Sequence, residues 1–285
     1  MIEITKKIVK SSMPMRKENS NKGDFGKLFC ITGSNEYIGA GLLSALSALK
    51  VGAGYSVLCS ENDAVGYYKK ISPDLIYKSH ENFNFEVIIK LIEQINPNAI
   101  VFGCGIGLNA KTIELTDKLI NFLKPLNIPT VIDADGLNCL AQLNQTKIGP
   151  NFILTPHPKE LSRLIKKELD DILQQRAISV LLAQEKHNCS VILKGHHTLI
   201  CTSEQKIYEN KTGNSALAKA GTGDVLAGMI GGFLSQNTSV ENAQIISVYL
   251  HGLAADIYKK DFSEYSMLAS DLLQYIPKAI KEILG

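Results

Sequence analysis

The chain has 285 residues, 45% of them hydrophobic, and a formal net charge of +2. That supplies enough apolar material for one sizeable α/β core, and too little charge imbalance to draw the protein toward nucleic acid or an anionic membrane. No apolar run is long enough to span a bilayer, and Met1-Ile2-Glu3-Ile4-Thr5-Lys6-Lys7 lacks the apolar centre of a secretion signal, so a cytoplasmic protein is expected. The six cysteines, Cys30, Cys59, Cys104, Cys139, Cys189 and Cys201, stand singly, most of them in apolar strand-like runs. Buried free thiols in a reducing compartment are expected, without disulfides or structural zinc.

Strand-like and helical runs alternate along the chain. Residues 27–32 predict a strand ending at Gly33, followed by a small-residue helix over 39–51 and a second strand at 55–59. Residues 98–103 and 129–133 have the continuous apolar character of buried parallel strands, with a helix over 111–123 between them. Strands are expected again at 152–155 and 190–194, separated by a helix over 171–186. Residues 198–202 and 206–209 suit a hairpin, and the last third turns helical over 224–236, 240–259 and 269–283. This alternation predicts a mainly parallel sheet covered by helices on both faces. No linker or repeat divides it, so one domain over 1–285 is expected.

In such sheets ligands gather beyond the carboxyl ends of the strands, and every glycine-rich or polar cluster of this chain follows a predicted strand. Gly103-Cys104-Gly105-Ile106-Gly107 lacks the full dinucleotide-binding spacing and reads first as a tight strand-to-helix turn. Asp133-Ala134-Asp135-Gly136-Leu137-Asn138 offers two carboxylates. Asp133 is expected to order the site's architecture, while Asp135 or Asn138 caps the following turn. In Thr155-Pro156-His157-Pro158-Lys159-Glu160 the prolines hold His157 out of regular structure, which suits it to touch a ligand. Glu160 falls in the first turn of the next helix, where it can serve the helix dipole or hold magnesium through water. Lys194 in Lys194-Gly195-His196-His197-Thr198 can reach phosphate oxygens. Adjacent residues on an extended chain point to opposite sides, so His196 and His197 are not expected to share a metal. His80 and His187 are expected at the surface and His251 in a helix packing face. Finally, Ala220-Gly221-Thr222-Gly223-Asp224 before an apolar helix can be a phosphate cradle with an acidic partner, or a helix start capped by Thr222 or Asp224.

In order along the chain these clusters resemble the NAD(P)H-hydrate dehydratase family, whose members have a ribokinase-like fold. The matching pieces are Lys22-Gly23-Asp24-Phe25-Gly26-Lys27, Gly33-Ser34 with Tyr37-Ile38-Gly39-Ala40, and the Gly103, Gly105, Gly107 run. They continue with Asp133–Asn138, Leu154–Glu160, Leu193–Thr198, Thr212-Gly213-Asn214 and Ala220–Asp224, so that the resemblance spans about residues 22–283. It implies a ribokinase-like three-layer α/β/α fold. It also implies a lone dehydratase rather than a fusion with an epimerase, with residues 1–21 as an N-terminal extension and the epimerase a separate protein. The one departure is in Cys104-Gly105-Ile106-Gly107-Leu108, where relatives often have a proline inside the glycine run.

The chemistry implied is repair of NADHX and NADPHX, the 6-hydroxy hydrates of NADH and NADPH. The S-epimer loses water at the expense of ADP, or of ATP, with Mg2+. By resemblance Asp224 accepts the hydroxyl proton, and the N–H groups of Gly221, Thr222 and Gly223 steady the phosphoryl group. Lys194, Gly195, His196, His197 and Thr198, with Gly223, hold the nucleotide. Ala40, Gly105, Gly107 and His157 line the hydrate site, and Glu160 orders magnesium. A homotetramer is likewise implied. Two rivals share the fold's logic: a kinase of a small alcohol such as hydroxymethylpyrimidine or hydroxyethylthiazole, and a non-catalytic nucleotide sensor.

Overall fold

Ten strands pair into one sheet in the computed structural model, which describes residues 1–143 and 147–285. They are β1 (Ile2–Glu3), β2 (Lys27–Ile31), β3 (Tyr55–Glu61), β4 (Ile76–His80), β5 (Ala99–Phe102), β6 (Thr130–Ile132), β7 (Phe152–Leu154), β8 (Ser190–Leu193), β9 (Thr198–Cys201) and β10 (Ile207–Asn210). Their order is β1-β10-β9-β8-β7-β6-β5-β2-β3-β4. β9 runs antiparallel to both its neighbours, as the expected hairpin requires, and the remaining pairs are parallel.

Successive side chains of a strand point to opposite faces, and here both faces are apolar. Leu28, Cys30, Val101, Val131 and Ile153 enter one core, while Phe29, Ile31, Ile100, Ile132 and Leu154 enter the other. Burying each such branched side chain stabilises the fold by about 1.5–3 kcal/mol, which explains why the central strands read as unbroken apolar runs. The first core is covered by α1 (Lys6–Ser12), α2 (Ile38–Lys50), α3 (Asn62–Ile71), α10 (Thr222–Ser235), α11 (Val240–Asp261) and α12 (Ala269–Leu284). The second is covered by α4 (Phe85–Ile95), α5 (Ala110–Leu123), α6 (Asp135–Gln142), α7 (Pro158–Ile165), α8 (Leu169–Gln174) and α9 (Arg176–His187). Among the described residues no helix is long and apolar enough to cross a membrane.

Several expectations are corrected by the structure. The helix read over 171–186 is two, because Gln175 (φ −125°, ψ 49°) leaves the helical region. His80 and His187 are buried, not on the surface: His80 closes β4 with its ring 4.6 Å from that of Phe83, and His187 ends α9. Burial holds both imidazoles at about 4, below their ordinary value. β1 pairs in parallel with β10, and Val9 of α1 is fully buried against the first core.

The strand order reverses between β5 and β2, the place where open α/β sheets gather ligands. There the N–H of Gly33 donates to the Cys104 carbonyl at 2.7 Å, tying the two strand ends together. α10 crosses this point, with Gly231 packed on Val101 and Leu28, and so delivers its N-terminus to the carboxyl edge of the sheet.

Candidate active site

The turn into α10 is built for close approach. Gly221 precedes the helix in the left-handed region (φ 92°), and a Cβ there would lie 2.7 Å from Leu43 Cδ1 and 2.9 Å from Ala269 Cβ. No side chain caps the helix. The cap expected of Thr222 or Asp224 does not form, because Thr222 Oγ1 turns back to the Leu217 and Lys219 carbonyls at 2.8 and 2.9 Å. The Thr222 N–H donates to the Lys219 carbonyl at 3.4 Å, while those of Gly223 and Asp224, with the positive end of the helix dipole, are left for an anion.

Beside this turn lies a buried ionic cluster drawn from three strand ends. Lys194, just after β8, places Nζ 2.6 Å from Asp133 Oδ1 and 3.9 Å from Glu160 Oε2. Asp133, just after β6, is 1% exposed. Burial alone would lower the Lys194 ammonium, but the Asp133 and Glu160 carboxylates outweigh it and raise it above its ordinary range. Ligand atoms of Cys104, Asp133 and Asp224 lie within 4.8 Å of one another. Burial and the neighbouring Asp133 charge push the Asp224 carboxyl up to about 6, against the pull of the Cys104 thiol and Lys194. A carboxylate that titrates near neutrality beside an anion-binding turn is suited to accept a proton. Cys104 is thus more than a small hydrophobe, although all six cysteines are buried and free as expected. Burial first, then Asp224 and Asp133, raises its thiol well above the ordinary value, so it faces the carboxylates as S–H.

His157 and Glu160 form a reciprocal cap at the start of α7. The N–H groups of Lys159 and Glu160 donate to His157 Nδ1 at 3.1 and 3.2 Å, and Glu160 Oε2 accepts from His157 N at 2.8 Å. Since Nδ1 accepts two amides, the ring proton sits on Nε2, which lies 3.4 Å from Glu160 Oε1 and is half-exposed toward the site. Burial, then Lys194, keeps His157 below its ordinary value, while burial raises Glu160. Opposite them, Gly105 (φ 64°) packs so closely on α2 that a Cβ would lie 2.7 Å from Ala40 Cβ. The Gly107 N–H donates to Asp135 Oδ2 at 2.8 Å. Neither Asp135 nor Asn138 caps α6; Asn138 Oδ1 accepts from Arg163 at 2.7 Å. Ala134 takes φ 51°, ψ −117°, a strained backbone for a residue with a Cβ, and this kink lets Asp133 and Asp135 diverge.

On the far side of α10 a cleft of about 380 Å3 opens. It is lined by Lys194–Thr198, by the loop from Asn210 to Ser215, by Thr222, Gly223 and Leu226, and by Val248, His251 and Gly252 of α11. His197 is not extended (φ 55°), so its ring stacks on that of His196 with centroids 4.1 Å apart, against the expectation that they diverge. The His196 carbonyl accepts from Arg176, and His197 Nδ1 lies 3.1 Å from Glu209. Sequence reasoning missed Asp256, which accepts from Gly213 N and Asn214 Nδ2 at 2.8 and 2.9 Å and holds the loop. His251 packs in its helix as expected, and its Nε2 also reaches the Thr222 carbonyl at 2.9 Å.

Magnesium prefers hard oxygen ligands and keeps much of its water. Asp133 and Glu160 supply such oxygens, but Lys194 already occupies the space between them. The residues therefore fit an ion held through water and a ligand's phosphates, with Glu160 as the protein group. The Cys104 cluster, whose thiol stays protonated, does not suit a hard cation.

The sheet order and the uncapped turn of α10 over its reversal define a ribokinase-like α/β protein. Among solved structures, ADP/ATP-dependent NAD(P)H-hydrate dehydratase from Bacillus subtilis, co-crystallised with ATP and Mg2+, superposes with a TM-score of 0.88 at 28% identity, covering 99% of this chain and 98% of that one. The family model for NAD(P)H-hydrate dehydratase matches residues 28–278, and the chain belongs to that family. It is 33% identical over 249 residues to the ADP-dependent (S)-NAD(P)H-hydrate dehydratase of Neisseria meningitidis, covering 86% of this chain and 81% of that protein. It is also 32% identical over 281 residues to the bifunctional NAD(P)H-hydrate repair enzyme of Thermofilum pendens, covering 95% of this chain. The chain spans about half the length of that enzyme and of similar bifunctional relatives, 53–55% of each.

Proposed function

We propose that this protein dehydrates the S-epimer of NADHX or NADPHX at the expense of ADP, or of ATP, with residues 1–285 acting as one unit. The observation that carries this reading is Asp224, raised to about 6 on the uncapped first turn of α10. Its turn borders the cleft through Thr222 and Gly223, and its carboxylate lies within 4.8 Å of ligand atoms of Cys104 and Asp133. In the first step the ring hydroxyl oxygen attacks the terminal phosphorus of ADP while its proton passes to Asp224. The bond from that phosphorus to the bridging oxygen breaks and AMP leaves. In the second step the C6–O bond breaks, phosphate departs with the electron pair, and loss of the C5 proton closes the ring double bond. The sum is hydrate plus ADP giving NAD(P)H, AMP and phosphate.

The first-turn N–H groups of α10 would meet the charge on the transferred group, as fixed donors do in phosphoryl transfer. Lys194 and Gly195–Thr198 would hold the nucleotide, and His157, Gly105 and Ala40 the hydrate. Glu160 would hold magnesium through water, and the ion would neutralise phosphate charge. A small-alcohol kinase would stop after the first step, and membership of the dehydratase family favours the second. We further place the protein in the cytoplasm as a homotetramer served by a separate epimerase.

The test mixes purified protein with NADHX, magnesium and either ADP or ATP, and follows recovery of reduced-nicotinamide absorbance together with free phosphate. Recovery with matching phosphate release is expected. No recovery with either nucleotide would sink the assignment, and consumption of hydrate without recovery would favour the kinase.

A further inference from the structure

α11 does more than cover the core. From one stretch of helix it supplies a bond to each of two segments around the cleft. Asp256 fixes Gly213 and Asn214 of the loop, while His251 Nε2 lies 2.9 Å from the carbonyl oxygen of Thr222, at the first position of α10. A carbonyl can only accept, so Nε2 carries the ring proton and donates it. His251 is 8% exposed, and burial holds its imidazole down at about 4, so the ring stays neutral and keeps this tautomer in the working range. The Thr222 carbonyl and the Gly223 N–H belong to one planar trans peptide and point in opposite directions. A donor on the carbonyl end therefore fixes the plane of that peptide and polarises its N–H end, because bonds in series strengthen one another.

We propose that His251 is a positioning residue for phosphoryl transfer, acting through the Thr222–Gly223 peptide to aim and strengthen the Gly223 N–H at the anion-binding turn. This rests on the reading that the first turn of α10 receives the transferred phosphoryl group. The ring adds no charge and need not touch the substrate. It turns one backbone amide into a better donor and binds α10 to the helix that also shapes the nucleotide loop.

The experiment compares wild type with His251→Phe, which fills the space without a donor, and His251→Gln, whose amide N–H has about the reach of Nε2. His251→Met serves as a second donor-free variant should the Phe variant not fold. Calorimetry gives the affinity for AMP alone and for inorganic phosphate with AMP bound; kinetics gives kcat and KM, and thermal melting follows stability. The donor-free variants should lower kcat and phosphate affinity about tenfold, the loss of roughly one buried hydrogen bond. His251 also borders the cleft, so AMP affinity should fall too, but less than phosphate affinity, and the Gln variant should recover most of the phosphate loss. Equal behaviour of Gln and Phe variants, or equal losses for AMP and phosphate, would overturn the proposal. If wild type shows no dehydration at all, the functional assignment fails, and the phosphate titration still decides the role of His251.

Discussion

The two sides of the α10 turn are made of different chemistry. The wall toward α11 is a cleft of backbone, small side chains and aliphatic residues such as Leu226 and Val248, edged by His196, His197 and the Lys194 it shares with the other wall, with its loop anchored from outside by Asp256. The wall toward β6 and β7 is a buried ionic cluster in which Asp133, Lys194, Glu160 and Asp224 perturb one another. A surface that only has to hold a ligand can be neutral and shaped. One that has to move a proton needs charges removed from water, where their mutual influence is large. Binding and chemistry should therefore separate under mutation.

The sharpest cut is Asp224→Asn. Turnover should fall by at least about 10³-fold while nucleotide affinity, read by calorimetry, stays within about threefold. A near-normal rate would remove Asp224 as the base. The same variant should be more stable at neutral pH by on the order of 2 kcal/mol, since it removes a carboxylate whose ionisation the fold opposes. Chemical denaturation checks this, and a loss of stability would show the charge to be better compensated than its raised pKa implies.

Next in size is Lys194→Met. It strands Asp133 without its 2.6 Å partner in a site that is 1% exposed, and should cost about 3–5 kcal/mol of folding stability. A change under about 1 kcal/mol would mean that Asp133 is neutralised another way. The pH dependence is gentler. As the proposed base Asp224 would work only when ionised, so kcat should be full above neutrality and fall about tenfold per unit below about pH 6. Stability moves oppositely. The folded pKa is raised from 3.8 to about 6, so the burial penalty is present above that range and relieved as pH falls through it. An acid limb near 4 would contradict the raised value.

The smallest effect is His157→Ala. Loss of the α7 cap should cost about 1 kcal/mol, and hydrate binding should weaken more than nucleotide binding. Equal losses in titrations of the two ligands would break the division between the walls.

Much of this was legible in the chain because strand-end clusters carry their own spacing. Ala220–Asp224, Lys194–Thr198 and Thr155–Glu160 are each one contiguous run, the last two following a strand of the sheet directly, and the fold brings them together. What was hidden depends on contacts between distant elements. Nothing near His251 in the sequence announces Thr222, and nothing near Asp256 announces Gly213. His80 and His187 looked like surface residues because a short polar context says nothing about what packs over it. No element is assigned between 60 and 97 from the sequence, where β4 at the sheet edge keeps Ile76 exposed beside Lys78 and Ser79. The kink at Ala134 and the stacked His196 and His197 came from positive φ angles at residues that rarely adopt them.

The pairing of β1 with β10 sets the timetable of folding. Ile2 and Glu3 find their partners only at Tyr208 and Glu209, and the ammonium of Lys10 reaches the carbonyl of Leu284 at the opposite end of the chain. Such distant pairing closes a very long loop and belongs to the slow part of folding. Ile2 and Glu3 therefore complete their strand only after Tyr208 and Glu209 are in place. Since β10 runs directly into the loop that borders the cleft, that pocket matures late.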